Sequence, residues 1–161
     1  MIDPRVWQYE SKYGLHVTGR LGPGPGQDGN VYRTDRATAV KIFDREERFT
    51  REDAVYRILT NKGISIIAGH AVPEWINSDS SLWIIEMTIV DRPFLLDFAS
   101  ARTASEVPDW EPHVLDEYYE GLKEKFGANW ENALHVAAMF NVATGLFLMD
   151  LHPGNVAFVD P

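Results

Sequence analysis

Residues 150–161 read DLHPGNVAFVDP and place two aspartates and an asparagine at fixed intervals. Asp150 and Asn155 bracket the turn-forming LHPG, and VAFV is a short strand that carries Asp160. An amide oxygen on a loop and a carboxylate at a strand end are donors that a hard Mg²⁺ ion takes, with phosphates and waters completing its shell. Asp150 is then a third oxygen group, placed to accept a proton from an attacking hydroxyl. In a plainer reading, Asp150 caps a turn and His152-Pro153-Gly154 only reverses the chain. The upstream sequence decides between the two.

In LGPGPGQDGNVYRT one register satisfies G-x-G-x-x-G: Gly24, Gly26 and Gly29, with Val31 two residues on. Glycines let a backbone approach a phosphate and offer it free N–H groups, although a Gly/Pro turn has the same look. No Gly-Lys-Ser/Thr follows, which excludes a Walker loop. In the strand-like ATAVKIF, alternation puts Ala39, Lys41 and Phe43 on one face. There Ala39 can floor a flat base while Lys41 reaches its phosphates; the bland alternative is a snorkelling surface lysine. Glu52 separates these readings. The segment DREERFTREDAVYRIL is helical in period, with Phe49, Tyr56 and Leu59 on its apolar stripe and Glu52 inside that stripe. An inward carboxylate needs a partner, and Lys41 is the best candidate. Glu46 and Glu47 suit the helix start, where acidic groups meet the macrodipole.

At 161 residues the chain has room for one core or two small lobes around a cleft. A formal charge of −9 disfavours nucleic acid and anionic membranes as partners. There is no cysteine, which excludes disulfides and thiol chemistry. The N-terminal MIDPRVWQYESKYG lacks the apolar run of a signal peptide, and no stretch approaches the ~20 apolar residues of a membrane span, so the expected location is cytoplasmic. Strand-like runs at GLHVTGRL, NVYRT, ATAVKIF, AVPEWI and SLWIIEMTIV, the last two split by Asn77-Ser78-Asp79-Ser80, give five strands and one helix before Val90. Pro93 reads as a linker-to-helix boundary, and the remainder as helical: DEYYEGLKEKF, then WENALHVAAMFNVATGLFL, apolar on nearly every side. The expected class is α+β, with a strand-rich lobe over residues 1–90, a linker at 91–93 and a helical lobe over 94–161.

Taken in order from Gly14 to Asp160, these motifs resemble the protein-kinase-like fold of protein kinases and the aminoglycoside and choline phosphotransferases. The resemblance implies a two-lobed fold with a five-stranded antiparallel sheet, using ATP and Mg²⁺. By similarity, Gly24, Gly26, Gly29, Val31, Ala39 and Lys41 hold the nucleotide and Glu52 orients Lys41. The backbone of Glu86 and Met87 forms the hinge beside adenine, Asn155 and Asp160 hold the metal, and Asp150 is the base. Asp160 stands where the aspartate of the Asp-Phe-Gly motif is expected, and His152 braces the loop.

There are departures. Leu148-Met149 replace the His-Arg or His-Gly that usually precedes the aspartate, Asp28 sits at the glycine-loop tip, and Pro25 removes an N–H. Asp160 is followed by Pro161 rather than Phe-Gly, so the helical lobe is expected to be truncated. Its apolar last helix is then expected to be covered by a second copy, by a partner chain or by a repacked segment from Phe94 to Trp110. Two functions compete: a phosphotransferase acting on a hydroxyl of an unidentified protein or small molecule, and a pseudokinase that binds nucleotide or a partner without transfer. Asp109, Glu111, Asp116, Glu117 and Glu120 read as a solvated helix face.

Overall fold

A computed structural model describes residues 1–26 and 29–159, the side chains of 23–29 aside. It begins with a helix that the sequence reading did not assign, α1 (Pro4–Tyr13). Its boundary signals are local. The Asp3 carboxylate accepts the Arg5 N–H at 2.9 Å, Pro4 occupies the first turn, and Gly14 closes the helix in the left-handed region at φ 66°.

The main sheet is made of β1 (Val17–Gly26), β2 (Gly29–Thr34) and β3 (Thr38–Ile42), then, after α2 (Glu46–Asn61), two further strands. Between them lie the short β4 (Ile66–Ile67) and β5 (His70–Ala71). The two are β6 (Trp75–Asp79) and β7 (Ile84–Thr88), and the spatial order is β1-β2-β3-β7-β6, antiparallel throughout. The expected break at Asn77-Ser78-Asp79-Ser80 falls later, because Asn77, Ser78 and Asp79 pair with β7 and Asp79 then accepts the Ser81 and Leu82 N–H groups of the turn.

Both faces of this sheet are covered. Leu21, Val31, Lys41 and Ile85 are successive cross-strand partners, and Ala39 pairs with Met87, so these side chains share one face. That face packs on α2 through Phe49, Val55, Tyr56 and Leu59. The other face, with Tyr32, Val40, Ile42 and Ile84, packs on Val6 and Tyr9 of α1 and on Leu15. Arg5 ties α1 down by donating to the carbonyls of Phe43 at 2.9 Å and Leu82 at 3.1 Å.

Tyr9 makes the buried polar link. Its hydroxyl donates to Glu86 Oε2 at 3.2 Å and accepts from Asn77 Nδ2 at 3.0 Å, while Thr38 Oγ1 donates to Glu86 Oε1 at 2.7 Å. Tyr9→Phe strips a donor from a buried carboxylate and an acceptor from Asn77. The expected cost is about 1–3 kcal/mol, seen as a fall of several degrees in thermal melting.

The segment after β7 departs from expectation. Residues 94–111 are not helical; they hold β8 (Phe94–Leu95), β9 (Ala101–Arg102) and a single 3₁₀ turn at Ala104–Glu106. The helices follow as α3 (Pro112–Phe126) and α4 (Trp130–Thr144), and then come β10 (Phe147–Leu148) and β11 (Val156–Ala157). β9 pairs with β10, and β8 lies between β11 and β5. The segment is held by these long-range pairings rather than by a local period, which is why Pro93 precedes a strand and not a helix.

Of the covers expected for α4, the structure supplies the repacked segment: Phe98 stacks on Phe140 at 5.3 Å between ring centres. The opposite side of α4 leaves Met139 and Val142 exposed. Among the described residues, no helix is long and apolar enough to cross a membrane.

Candidate functional site

Lys41 sits in the middle of the sheet, flanked by Val31 on β2 and Ile85 on β7. Its side chain is 3% exposed and that of Glu52 is 0% exposed, so neither charge can rely on water. They satisfy each other. Lys41 Nζ donates to Glu52 Oε1 at 3.0 Å and Oε2 at 2.9 Å, as the position of Glu52 inside the apolar stripe of α2 requires.

A second carboxylate, not anticipated from the sequence, completes the cluster. Lys41 Nζ also donates to Asp97 Oδ1 at 2.6 Å. The buried Tyr56 hydroxyl lies close to both acids. Burial alone would lower the Lys41 pKa, but the Glu52 and Asp97 charges outweigh it and hold the ammonium above its ordinary value. Burial, followed by those same two acids, pushes Tyr56 well above the usual phenol range, so it stays neutral.

Asp97 is also unusual in its backbone. Its φ is +67°, a conformation that few non-glycine residues adopt and that aspartate and asparagine tolerate best. The neighbours on either side keep it there. Leu95 on β8 pairs with Val156 on β11, the Leu96 N–H donates to the Asn155 carbonyl at 3.0 Å, and Phe98 is buried edge-on against Tyr56 at 5.1 Å. The Asp97 side chain remains 27% exposed, open enough to meet a ligand.

The loop from Asp150 to Asn155 is anchored by its backbone. The Asp150 N–H donates to Ser100 Oγ at 3.2 Å, and the Asp150 carbonyl accepts from Asn155 Nδ2 at 2.5 Å. Asn155, 4% exposed, also accepts the His152 N–H on Oδ1 at 3.0 Å, so its amide spans the whole turn. The Asp150 carboxylate is left 44% exposed, with His152 Nε2 3.9 Å from Oδ2. His152 Nδ1 accepts the Gly154 N–H at 3.0 Å, so the ring does brace the loop.

Gly154 has no spare room. A Cβ there would lie 2.8 Å from His152 Cε1 and Nδ1. Gly154→Ala is therefore expected to push the ring away from Asp150 and to cost about 1 kcal/mol or more through the lost turn bond. A shifted His152 ring resonance with a lowered melting temperature is the check.

The other residues singled out from the sequence fall as follows. The backbones of Gly24, Gly26 and Gly29 lie in the β1–β2 hairpin, with Gly26 opposite Gly29. Val31 and Ala39 share the Lys41 face, as alternation requires. Met87 joins them, but Glu86 projects to the α1 face, and both lie inside a strand paired on each side. Their backbone groups are thus paired within the sheet. Asp28 and Asp160 lie outside the described residues. Among the described residues, no group of three His, Asp or Glu side chains converges as a ready metal cage.

Asp97 had a sequence signal. Asp97-Phe98-Ala99 differs from Asp-Phe-Gly only in its last residue. It lies before the Asp150 loop in the chain, whereas the resemblance places that motif after it. Strand pairing nonetheless brings the two stretches side by side, because β8 and β9 lie against β11 and β10, the strands that flank the loop.

A five-stranded antiparallel sheet with α2 on one face, the Lys41–Glu52 pair and the anchored Asp150 loop are the arrangement that the resemblance to the protein-kinase-like fold implies. Solved structures similar to the chain include APH(2'')-IIa in a ternary complex with streptomycin and ATP, at 16% identity and a TM-score of 0.42, covering 79% of this chain and 40% of that one. Another is the aminoglycoside phosphotransferase APH(2'')-Ib bound to ADP, also at 16% identity and a TM-score of 0.42, with 78% and 40% covered. The chain thus spans about 40% of the length of these neighbours. No family model and no curated protein matches it.

Proposed function

We propose that the chain binds Mg·ATP on the Lys41 face and transfers the γ-phosphate to a hydroxyl of a protein or small molecule. The observation that carries this reading is the cluster itself, one ammonium against two carboxylates, Glu52 and Asp97. A purely structural ion pair needs a single acid. The second acid, partly exposed and held in the left-handed backbone region, turns a hard oxygen donor outward, and such a donor suits Mg²⁺.

In this reading Ala39, Val31 and Met87 form the apolar roof over the base, and the Gly24/Gly26/Gly29 hairpin and Lys41 meet the phosphates. Asp97 and the Asn155 amide are the protein oxygens that would hold the metal. Asp160, the metal ligand implied by the resemblance, is the competing assignment that mutation separates below. When bound, Mg²⁺ would neutralise charge on the transferred phosphoryl group. Glu52 keeps Lys41 aimed, and the exposed Asp150 carboxylate takes the proton of the attacking hydroxyl while its backbone stays fixed. Residues 1–90 then act as the nucleotide lobe and 94–161 as the lobe that carries Asp97, Asp150 and Asn155.

Calorimetric titration of ATP with and without Mg²⁺ tests the reading. Binding that strengthens with Mg²⁺ is expected. Absence of binding up to millimolar ATP would sink it. Mg-dependent binding with no transfer to any hydroxyl would instead identify a pseudokinase.

A further inference from the structure

Glu52 and Asp97 reach Lys41 from two separate elements, α2 and the β8–β9 connection, and their charges repel. A second contact joins those same elements outside the cleft. Arg51, the residue before Glu52, donates to Glu106 Oε2 at 2.6 Å, to Glu47 Oε1 at 3.3 Å and to the Ala101 carbonyl on β9 at 3.5 Å. Glu106 is itself fixed: its Oε1 accepts the Thr103 N–H at 3.1 Å and the Thr103 hydroxyl at 3.0 Å. One oxygen of Glu106 therefore holds the turn that leaves β9, and the other holds α2.

We propose that Arg51 and Glu106 form a positioning latch that keeps α2 docked on the β9 turn, and so keeps Glu52 and Asp97 together on Lys41. The consequence for phosphate transfer rests on the nucleotide reading above; the latch itself does not. An isolated exposed ion pair has little effect. This one is part-buried at the Arg51 end, 25% exposed against 35% for Glu106, and it belongs to a network with a carbonyl and a capped turn. The Arg51 bond, followed by the Thr103 N–H and hydroxyl, pulls the Glu106 carboxyl down to about 2, so the latch stays charged at any working pH. The link also reaches the other end of the site. β9 pairs with β10, which runs into Asp150, and Ser100 just before β9 accepts the Asp150 N–H. Releasing α2 shifts the population toward an open arrangement in which Lys41 meets solvent.

The test is labelling of lysines by a small amine-reactive reagent, read peptide by peptide, with the exposed Lys125 on α3 as an internal control. Arg51→Gln and Glu106→Gln are the single variants; in the second, the new amide keeps an oxygen for Thr103, which protects the fold. Each is expected to raise Lys41 labelling roughly three- to fivefold over wild type, the scale of a part-exposed charge pair in such an equilibrium, with Lys125 unchanged. The swapped pair Arg51→Glu with Glu106→Arg is expected to return Lys41 toward the wild-type rate. Unchanged Lys41 labelling in both single variants overturns the latch, as does a parallel rise at Lys125, which reports general loosening. Mg·ATP protection of Lys41 in the wild type is read separately. Its absence counts against the nucleotide reading, while the variants alone judge the latch.

Discussion

Asp97→Asn is expected to remove the Mg²⁺-dependent part of ATP binding while leaving the protein folded. Asparagine is the one substitution that keeps the shape of the side chain and also tolerates the left-handed backbone at φ +67°. What disappears is a charge that now sits 2.6 Å from Lys41 and faces outward. Truncating one partner of a close charge pair in a binding site costs about 2–5 kcal/mol, so a loss of about a hundredfold in Mg·ATP affinity is expected. Affinity for ATP without metal should change far less, because Lys41 gains freedom to meet phosphate once Asp97 no longer competes for it. Asp160→Ala is the paired control. If Asp97 closes the metal site, this change leaves Mg·ATP affinity within about threefold of wild type, well inside the range of an exposed charge. The reverse pattern, silence at Asp97 and loss at Asp160, would restore the order implied by the resemblance. Calorimetry with EDTA and with Mg²⁺ reads both.

Lys41→Met carries the largest stability effect. Methionine fills the same stem, but Glu52 at 0% exposure and Asp97 then both lose the ammonium they share. Removing one partner of a buried ion pair costs about 3–5 kcal/mol. At 161 residues, each kcal/mol corresponds to about 2–4 °C, so melting should fall by roughly 10 °C. Glu52→Gln should cost clearly less, since Lys41 keeps Asp97 as a partner. The pH dependence follows from the direction of the shifts. In Lys41→Met, Glu52 loses the Lys41 ammonium while still buried, which moves its folded pKa up relative to the unfolded value of about 4.3. Its penalty is then full at neutral pH and shrinks as pH falls toward that value. In the wild type the raised Lys41 pKa works the other way: its contribution is full below the unfolded lysine pKa of about 10.4 and is lost only as pH climbs through the higher folded value. Melting curves between pH 5 and 8 should therefore converge for the two proteins on the acid side.

The parts of this molecule that were legible in the sequence are those specified by short-range pattern. Alternation in ATAVKIF put Ala39, Lys41 and Phe43 on one face, and the helical period around Phe49 and Tyr56 put Glu52 inward; together these located the ion pair. The turn at Asp150–Asn155 was readable from LHPG, and so was the bracing role of His152. The helix α1 could have been read but was not. Its mixed composition hides an apolar stripe of only Val6 and Tyr9, yet Asp3-Pro4 at its start and Gly14 at its end are ordinary boundary signals. Residues 94–111 were not legible from local pattern at all. Strands of two residues have no period, and what fixes β8 and β9 is pairing with β11, β5 and β10, far away in the chain. Asp97 was missed for that reason and for one more: Asp97-Phe98-Ala99 precedes the Asp150 loop in the chain, whereas the resemblance places Asp-Phe-Gly after it. That Glu86 and Met87 lie inside a strand paired on each side was not legible either, because sequence shows where an apolar run ends but not where a neighbouring strand stops pairing with it.

The most direct test of the central claim is a crystal structure of the chain with Mn²⁺ and a non-hydrolysable ATP analogue, with the metal located by its anomalous signal. The expected result is one or more Mn²⁺ ions bound by Asp97, with the Asn155 amide as a further protein oxygen and Lys41 on the phosphates. Metal held by Asp160 with Asp97 still on Lys41, or an analogue bound away from the Lys41 face, would contradict it.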